Sequence, residues 1–360
     1  MKKESNQFDI IVIGAGSGGL NVAGFMNRIG KRVLLIDKKD ESIGGDCLNH
    51  GCIPSKALIH VAREVHAGKS AHQFGLTVQG YVDIQKVMAY VKGKQSIIRE
   101  HENAEHFQRL GITVALGNAV LSGHNSVTVN GQEYSAQKIV LATGSRPRTL
   151  ELEGSDQISV YTNETVFDMK VLPRRFVFIG GGPISLELGQ AFAMLGSDVT
   201  IVHGGERLLE KEVKAVSAFM QAELKAMGIK IILNAKLKKF ERGELVVTTK
   251  DTAEFRVGAD ALFAGIGRVL NIEHLGLEQA GVTLSPDKQK IVVDEHLRTT
   301  NKNVYVVGDV AGGLQFTHAA ELHASLIIKN FFSPLKQKLN TDSFVSSATE
   351  SPNVATSGLV

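Results

Sequence analysis

One stretch of this sequence occurs twice, 166 residues apart, and the repeat restricts the fold more than any other feature. Residues 9–40 read DIIVIGAGSGGLNVAGFMNRIGKRVLLIDKKD and residues 175–206 read RFVFIGGGPISLELGQAFAMLGSDVTIVHGGE. The offset places Gly14 on Gly180, Gly16 on Gly182, Gly30 on Gly196 and Val33 on Val199. Each copy runs from an apolar segment of strand length through a glycine-rich turn and a helical segment to a glycine and a second apolar segment, which is the pattern of a β-α-β unit. An α/β fold with two Rossmann-like dinucleotide-binding domains is the expectation.

The glycine spacing has a chemical purpose. The first glycine permits the tight turn, the second lets backbone approach a pyrophosphate, and the third lets helix and strand pack closely. A helix beginning there aims free N–H groups and a positive dipole end at the phosphate. Gly14, Gly16 and Gly19 supply the set in the first copy; Gly180, Gly182 and the small Ser185 supply it in the second. Asp37 closes the second apolar run 23 residues after Gly14, near the ~20-residue spacing of an acid that binds a ribose hydroxyl. Two such units imply two dinucleotides, for which a flavin and a nicotinamide are the natural pair.

The chain has 360 residues, enough for two or three cores, and a net charge of +3 with scattered Lys and Arg, which gives no argument for nucleic acid or membrane as partner. No apolar run reaches the ~18 residues of a membrane span, and the run after the polar start is too short for a secretory signal core of ~7–15 residues. A cytoplasmic location is expected. The sequence has only two cysteines, Cys47 and Cys52, in GGDCLNHGCIPSKALIH at 44–60. On one regular helix they would be ~7.5 Å apart along the axis and on different faces, whereas a disulfide needs Cα atoms within ~7 Å. The helix is therefore expected to be broken or not yet begun between them. Gly51 allows the irregular backbone, Pro54 suits a first helical turn, and helix is expected from Ser55 to about Ala67. Cys52 would then sit at a helix N-terminus, where the dipole favours a thiolate. A structural disulfide and a zinc site are the other readings; His50 could be a third zinc ligand, but no second Cys/His cluster accompanies it, and no metal is expected.

The segment GGDCLNHGCIPSK resembles the active-site segment of the pyridine nucleotide–disulfide oxidoreductases, which include dihydrolipoamide dehydrogenase, glutathione reductase and mercuric reductase. The resemblance continues in LATGSRP (141–147), AGIGRVLN (264–271), VYVVGDV (304–310) and FTHAAELHA (316–324), covering essentially residues 8–335. It implies an FAD domain at 1–150, an NAD(P) domain at 151–269, a central segment at 270–335 completing the flavin site, and the start of a dimerisation domain at 336–360. The reaction it implies takes electrons from NADH or NADPH through FAD to the Cys47–Cys52 disulfide and on to a small-molecule or protein disulfide. Cys52 would face the flavin and Cys47 would attack substrate, with Lys56 and Glu187 paired beside the flavin N5. Gly117, Thr143, Gly144, Ser145, Asp309 and Thr317 would join the first glycine turn, Asp37 and Lys56 in holding FAD. Glu187, His203, Arg207 and Gly267 would join the second in holding NAD(P).

The sequence departs from the family in three places. Leu270 stands where relatives usually have proline. None of the 12 histidines follows His323, whereas relatives draw their acid/base histidine from the partner's dimerisation domain. A homodimer is therefore the expectation for a full-length parent, and weak disulfide turnover, or a non-catalytic flavin-binding role, for this chain. Finally, His203 stands at the offset position of Asp37. With no acid there and Arg207 close by, the sequence leans toward NADP or mixed use. A mercuric reductase-like variant fits the same motifs.

Overall fold

Both copies of the repeat fold as strand, turn, helix and strand, and the two helices begin at Ser17 and Pro183, in the register set by the glycines. A computed structural model describes residues 6–250, 253–341, 345–348 and 354–357. The chain divides into two compact units, Met1–Asn49 with Ser96–Arg146 and Val269–Phe344, and His50–Gln95 with Pro147–Arg268 and Val345–Val360.

The first unit holds β1 (Gln7–Ile13), α1 (Ser17–Arg28), β2 (Val33–Asp37), α2 (Gly45–Asn49), α5 (Ala104–Arg109), β3 (Thr113–Leu116), β4 (Ala119–Leu121), β5 (Ser126–Val129), β6 (Gln132–Leu141), β17 (Val304–Val306) and α8 (Thr317–Phe332). Its sheet runs β3-β2-β1-β6, with β17 on the far side of the second half of β6, all parallel. The first half of β6 pairs antiparallel with β5, and β5 with β4. Ile10, Ile11, Val12, Leu34, Leu35 and Ile36 are fully buried. A parallel strand covered on both faces needs that continuous apolar run, and each such side chain contributes ~1.5–3 kcal/mol by leaving water. Gly18 lets α1 settle against this core, because a Cβ there would lie 2.8 Å from Val307.

The second unit holds α3 (Cys52–Ser70), most of α4 (Ile84–Arg99), β8 (Ser159–Tyr161), β9 (Arg175–Ile179), α6 (Pro183–Leu195), β10 (Asp198–Val202), α7 (Lys214–Ala226), β11 (Lys230–Ile232), β12 (Lys236–Glu241), β13 (Glu244–Thr248), β14 (Phe255–Gly258) and β15 (Ala261–Ala264). Its parallel order, β11-β10-β9-β15-β8, reproduces that of the first unit, and β12-β13-β14 form an antiparallel sheet as β4-β5-β6 do. Phe176 and Phe178, 4.6 Å apart at their ring centres, anchor an aromatic core with Phe192 and Phe263. The short strands β7 (Ser145–Pro147) and β16 (Arg268–Leu270) carry the chain out of the first unit and back. Near the end, β18 (Val345–Ala348) pairs antiparallel with β19 (Val354–Ser357), within the stretch 336–360 expected to start a dimerisation domain; residues 342–344, 349–353 and 358–360 of it lie outside the described residues.

Two features of the segment after Cys47 bear on its packing. Residues 50–95 fall within the second compact unit. The cause is packing: Ala57, Leu58, Ile59 and Ala62 of α3 join the core that contains Leu186, Leu188 and Phe192 of α6. Helix α3 also begins at Cys52, three residues before the expected Ser55, with Pro54 in its first turn. No helix among the described residues is long and apolar enough to cross a membrane.

Two glycines of α1 give a matched test of this packing. A Cβ on Gly19 would lie 2.0 Å from the Gly14 carbonyl oxygen, whereas one on Gly24 meets nothing within 4 Å. Gly19→Ala is expected to cost ~1–3 kcal/mol, and Gly24→Ala to add ~0.5–1 kcal/mol through helix propensity. Denaturant unfolding of the two variants checks this; equal effects would contradict it.

Candidate functional site

The first glycine turn is built by contacts that exclude side chains. Gly14 has φ +104°, and a Cβ on it would be 2.3 Å from the Ala142 carbonyl oxygen at the end of β6. Its N–H donates to the Ile36 carbonyl at 2.8 Å, and the Ala142 N–H donates to the Ile13 carbonyl at 2.7 Å, which locks the turn between β2 and β6. Gly16 precedes α1, whose first turn carries no side-chain cap. Gly45 approaches so closely that a Cβ on it would stand 2.6 Å from the Gly16 Cα. The result is a cradle of bare backbone at a helix N-terminus, which suits a pyrophosphate. Asp37 accepts from the Ala15 N–H at 2.6 Å and the Lys38 N–H at 2.7 Å, so its carboxylate is held at the edge of the turn. The Asp37 carbonyl accepts from Gly117 at 2.8 Å, which brings Gly117 to the same edge.

The other expected flavin-side residues of this unit are tied together. Ser145 donates to Asp309 at 2.5 Å. Asn271, which the sequence reading did not single out, donates through its side chain to the Thr143 carbonyl at 2.9 Å, and its own carbonyl accepts from the Thr143 hydroxyl at 2.7 Å. Its N–H donates to the Gly144 carbonyl at 3.0 Å. Thr317 is the first residue of α8. A second residue missed by the sequence reading is His323 of α8, only 3% exposed. Its ring bonds the backbone of Gly308, the residue before Asp309, and burial pushes its pKa down to about 4. Its Nδ1 has no hydrogen-bond partner among the described residues. A histidine on an apolar helix face carries no sequence signal for such a role.

The cysteine segment has its own scaffold. Cys47 is half-buried within α2, and the Asn49 side chain ties that helix down by donating to the Gly45 carbonyl at 2.9 Å. Arg99 donates to the Asn49 side-chain oxygen. Glu102, raised above the usual carboxylate range chiefly by burial, lies against Gly44, whose φ of +92° leaves no room for a Cβ. In the second unit Cys52 is exposed and opens α3, as the dipole argument required. One turn later Lys56 reaches Glu187 of α6 at 2.7 Å. Glu187 is only 11% exposed, so the ammonium compensates a largely desolvated carboxylate.

The second glycine turn repeats the first nearly atom for atom. Gly180 has φ +111°, and a Cβ on it would be 2.1 Å from the Gly265 carbonyl oxygen beyond β15. Its N–H donates to Val202 at 2.9 Å, and the Gly265 N–H donates to Ile179 at 2.8 Å. Gly182 faces open space, and α6 behind it begins with Pro183 and has no side-chain cap. Ser185 is buried against Gly265. Gly267, at φ +101°, accepts from Arg148 at 3.0 Å.

His203 takes the Asp37 role. Its Nδ1 accepts from the Gly181 N–H at 3.1 Å, the bond equivalent to Asp37 with Ala15. Glu210, seven residues on, places Oε1 3.8 Å from His203 Nε2. The Arg207 guanidinium donates to the backbone carbonyls of Leu209, Glu210 and Glu212. Arg207 thus shapes the loop that presents Glu210.

Residues 8–324 match the profile of the pyridine nucleotide-disulphide oxidoreductases. A mercuric reductase of Lysinibacillus sphaericus is 29% identical over 358 residues, covering 98% of this chain and 65% of the relative. A dihydrolipoyl dehydrogenase of Chlamydia pneumoniae is 34% identical over 334 residues, covering 91% of this chain and 70% of the relative. The solved structure of the HOCl-induced flavoprotein disulfide reductase RclA from Escherichia coli has a TM-score of 0.83 and 26% identity, covering 96% of this chain and 76% of that one. The chain spans less than two thirds of the length of the mercuric reductases it matches. Proteins of this family use FAD and NAD(P)H.

His323 makes the Gly308–Asp309 turn sensitive to acid. Its folded pKa of about 4 lies below the ordinary 6.5, so between these values the unfolded chain binds the extra proton. Stability is therefore full above pH ~6.5 and falls as pH drops toward 4, by up to ~3 kcal/mol from this group. Relative to His323→Gln, the wild-type chain should lose that amount between pH 7 and 4 in denaturant unfolding. A difference that does not vary with pH would contradict the assignment.

Proposed function

Because the chain belongs to the pyridine nucleotide-disulphide oxidoreductase family, we propose that it is an NAD(P)H-dependent flavoprotein that delivers electrons to a Cys47–Cys52 disulfide and from there to a disulfide or related thiol-reactive substrate. The observation that carries this reading is the cysteine segment itself: Cys47 in α2, a helix break at His50–Gly51, and Cys52 opening α3 one turn before a lysine paired with a buried glutamate.

The first glycine turn fits FAD. Bare backbone at Gly14, Gly16 and Gly45 and the uncapped α1 would take the pyrophosphate, the Asp37 carboxylate a ribose hydroxyl, and the linked Ser145–Asp309 pair the flavin side. Gly180, Gly182 and α6 fit a nicotinamide dinucleotide in the same way. FAD, when bound, supplies the means to accept a hydride and release an electron pair. The protein's part is to hold the dinucleotides and to manage the thiols. The α3 dipole stabilises Cys52 as a thiolate, which makes it the better leaving group when the disulfide is reduced. Cys47, on its own short helix, is the thiol assigned to attack substrate. Lys56, held by Glu187, presents its ion pair one turn further along α3. The mercuric reductases among the relatives make Hg(II) an acceptor to be tried alongside disulfides.

With only two cysteines in the chain, thiol counting is unambiguous. The FAD-loaded chain should take up no maleimide as purified and label at both cysteines after anaerobic reduction by NADH or NADPH. Cys47→Ser or Cys52→Ser should lower turnover of lipoamide, glutathione disulfide or Hg(II) by at least ~10²-fold while flavin bleaching persists. Labelling that does not change on reduction would contradict the proposal.

A further inference from the structure

The geometry points to a nicotinamide site that prefers NADH to NADPH, with Glu210 and His203 jointly taking the place of the single ribose-binding acid; this inference rests on the oxidoreductase reading above. In the first unit one residue can do two things: Asp37 accepts the Ala15 and Lys38 N–H groups, and its carboxylate keeps lone pairs with which to take a ribose hydroxyl. In the second unit these tasks are divided. His203 Nδ1 accepts the equivalent Gly181 N–H. With Nδ1 occupied as an acceptor, the neutral imidazole carries its proton on Nε2. Nε2 is buried and has no hydrogen-bond partner among the described residues. Glu210 Oε1 stands 3.8 Å from it, just beyond hydrogen-bond length.

A ribose 2′-hydroxyl fits this pair because it is both donor and acceptor: it can accept from His203 Nε2–H and donate to Glu210. A 2′-phosphate has no proton to offer Glu210 and brings like charge against it. Two cations are engaged elsewhere. Arg207 is committed to the carbonyls of Leu209, Glu210 and Glu212, and Lys250 is paired with Glu206 at 3.1 Å.

Two glycines make the arrangement sterically possible. A Cβ on Gly181 would lie 2.8 Å from the His203 ring, so only glycine lets the imidazole pack under the turn. A Cβ on Gly205 would lie 1.8 Å from Glu210 Oε1 and 2.8 Å from His203 Nε2. Gly205 is not in the left-handed region, so alanine there is allowed by the backbone and acts only by evicting the carboxylate. Gly205→Ala therefore moves the charge of Glu210 without deleting it.

The test is anaerobic stopped-flow reduction of the FAD-loaded chain by NADH and by NADPH at low ionic strength, where screening is weakest. The wild-type chain should be reduced by NADH with at least about tenfold greater efficiency, since like-charge contacts at close range are strongly unfavourable. Glu210→Gln and Gly205→Ala should each bring the ratio toward parity by improving NADPH. Removing the exposed Glu206–Lys250 pair together, as Glu206→Gln with Lys250→Gln, keeps the net charge and should leave the ratio unchanged. Wild-type reduction that favours NADPH, or a ratio shifted equally by that double variant and by Glu210→Gln, would overturn the inference while leaving the oxidoreductase reading intact. Reduction by neither cofactor would sink both.

Discussion

The architecture depends on one contact made twice: a glycine Cα pressed against a carbonyl oxygen just past the end of the neighbouring parallel strand. Gly14 meets Ala142 in this way and Gly180 meets Gly265, both at φ above +100°. No L side chain satisfies either the space or the dihedral angle. The contact lets the chain turn from strand into helix within three residues, and the helix then begins with its N–H groups uncapped and facing outward. Strand order, helix packing and anion-binding capacity follow from it in both units, and this is why two units with different sequences share the order of their parallel strands.

Once the turn is fixed, the residue at the end of the second strand becomes the most consequential polar position. It accepts the N–H after the first glycine, and only capacity left over is open to a ligand. Asp37 accepts two N–H groups with the two oxygens of one side chain. His203 has one acceptor nitrogen, already used, and one donor nitrogen, so an acid has to come from elsewhere. Arg207 makes this possible by gathering three carbonyls of the loop that carries Glu210.

Much of this was legible in the sequence because it rests on local rules. The glycine spacing, the apolar runs of β1 and β9 and the helix start near the cysteines are each dictated within about 30 residues of chain. Contacts set by tertiary packing were not legible. The apolar face of α3 says that the helix is buried but not that it packs against the core of α6. Glu210, seven residues beyond His203, and Gly205, which leaves room for it, belong to no motif and carry no periodic signal. His323 and Asn271 act through backbone hydrogen bonds to segments distant in sequence, and such bonds leave no periodic trace.

The central claim is that one chain joins a nicotinamide site, a flavin site and a thiol pair into one electron path. An anaerobic titration of the FAD-loaded chain with reduced nicotinamide, followed by visible absorbance, measures the capacity of that path. The account predicts uptake of two hydride equivalents per flavin, one for the isoalloxazine and one for the Cys47–Cys52 disulfide. A capacity of a single equivalent, unchanged when both cysteines are replaced by serine, would contradict it.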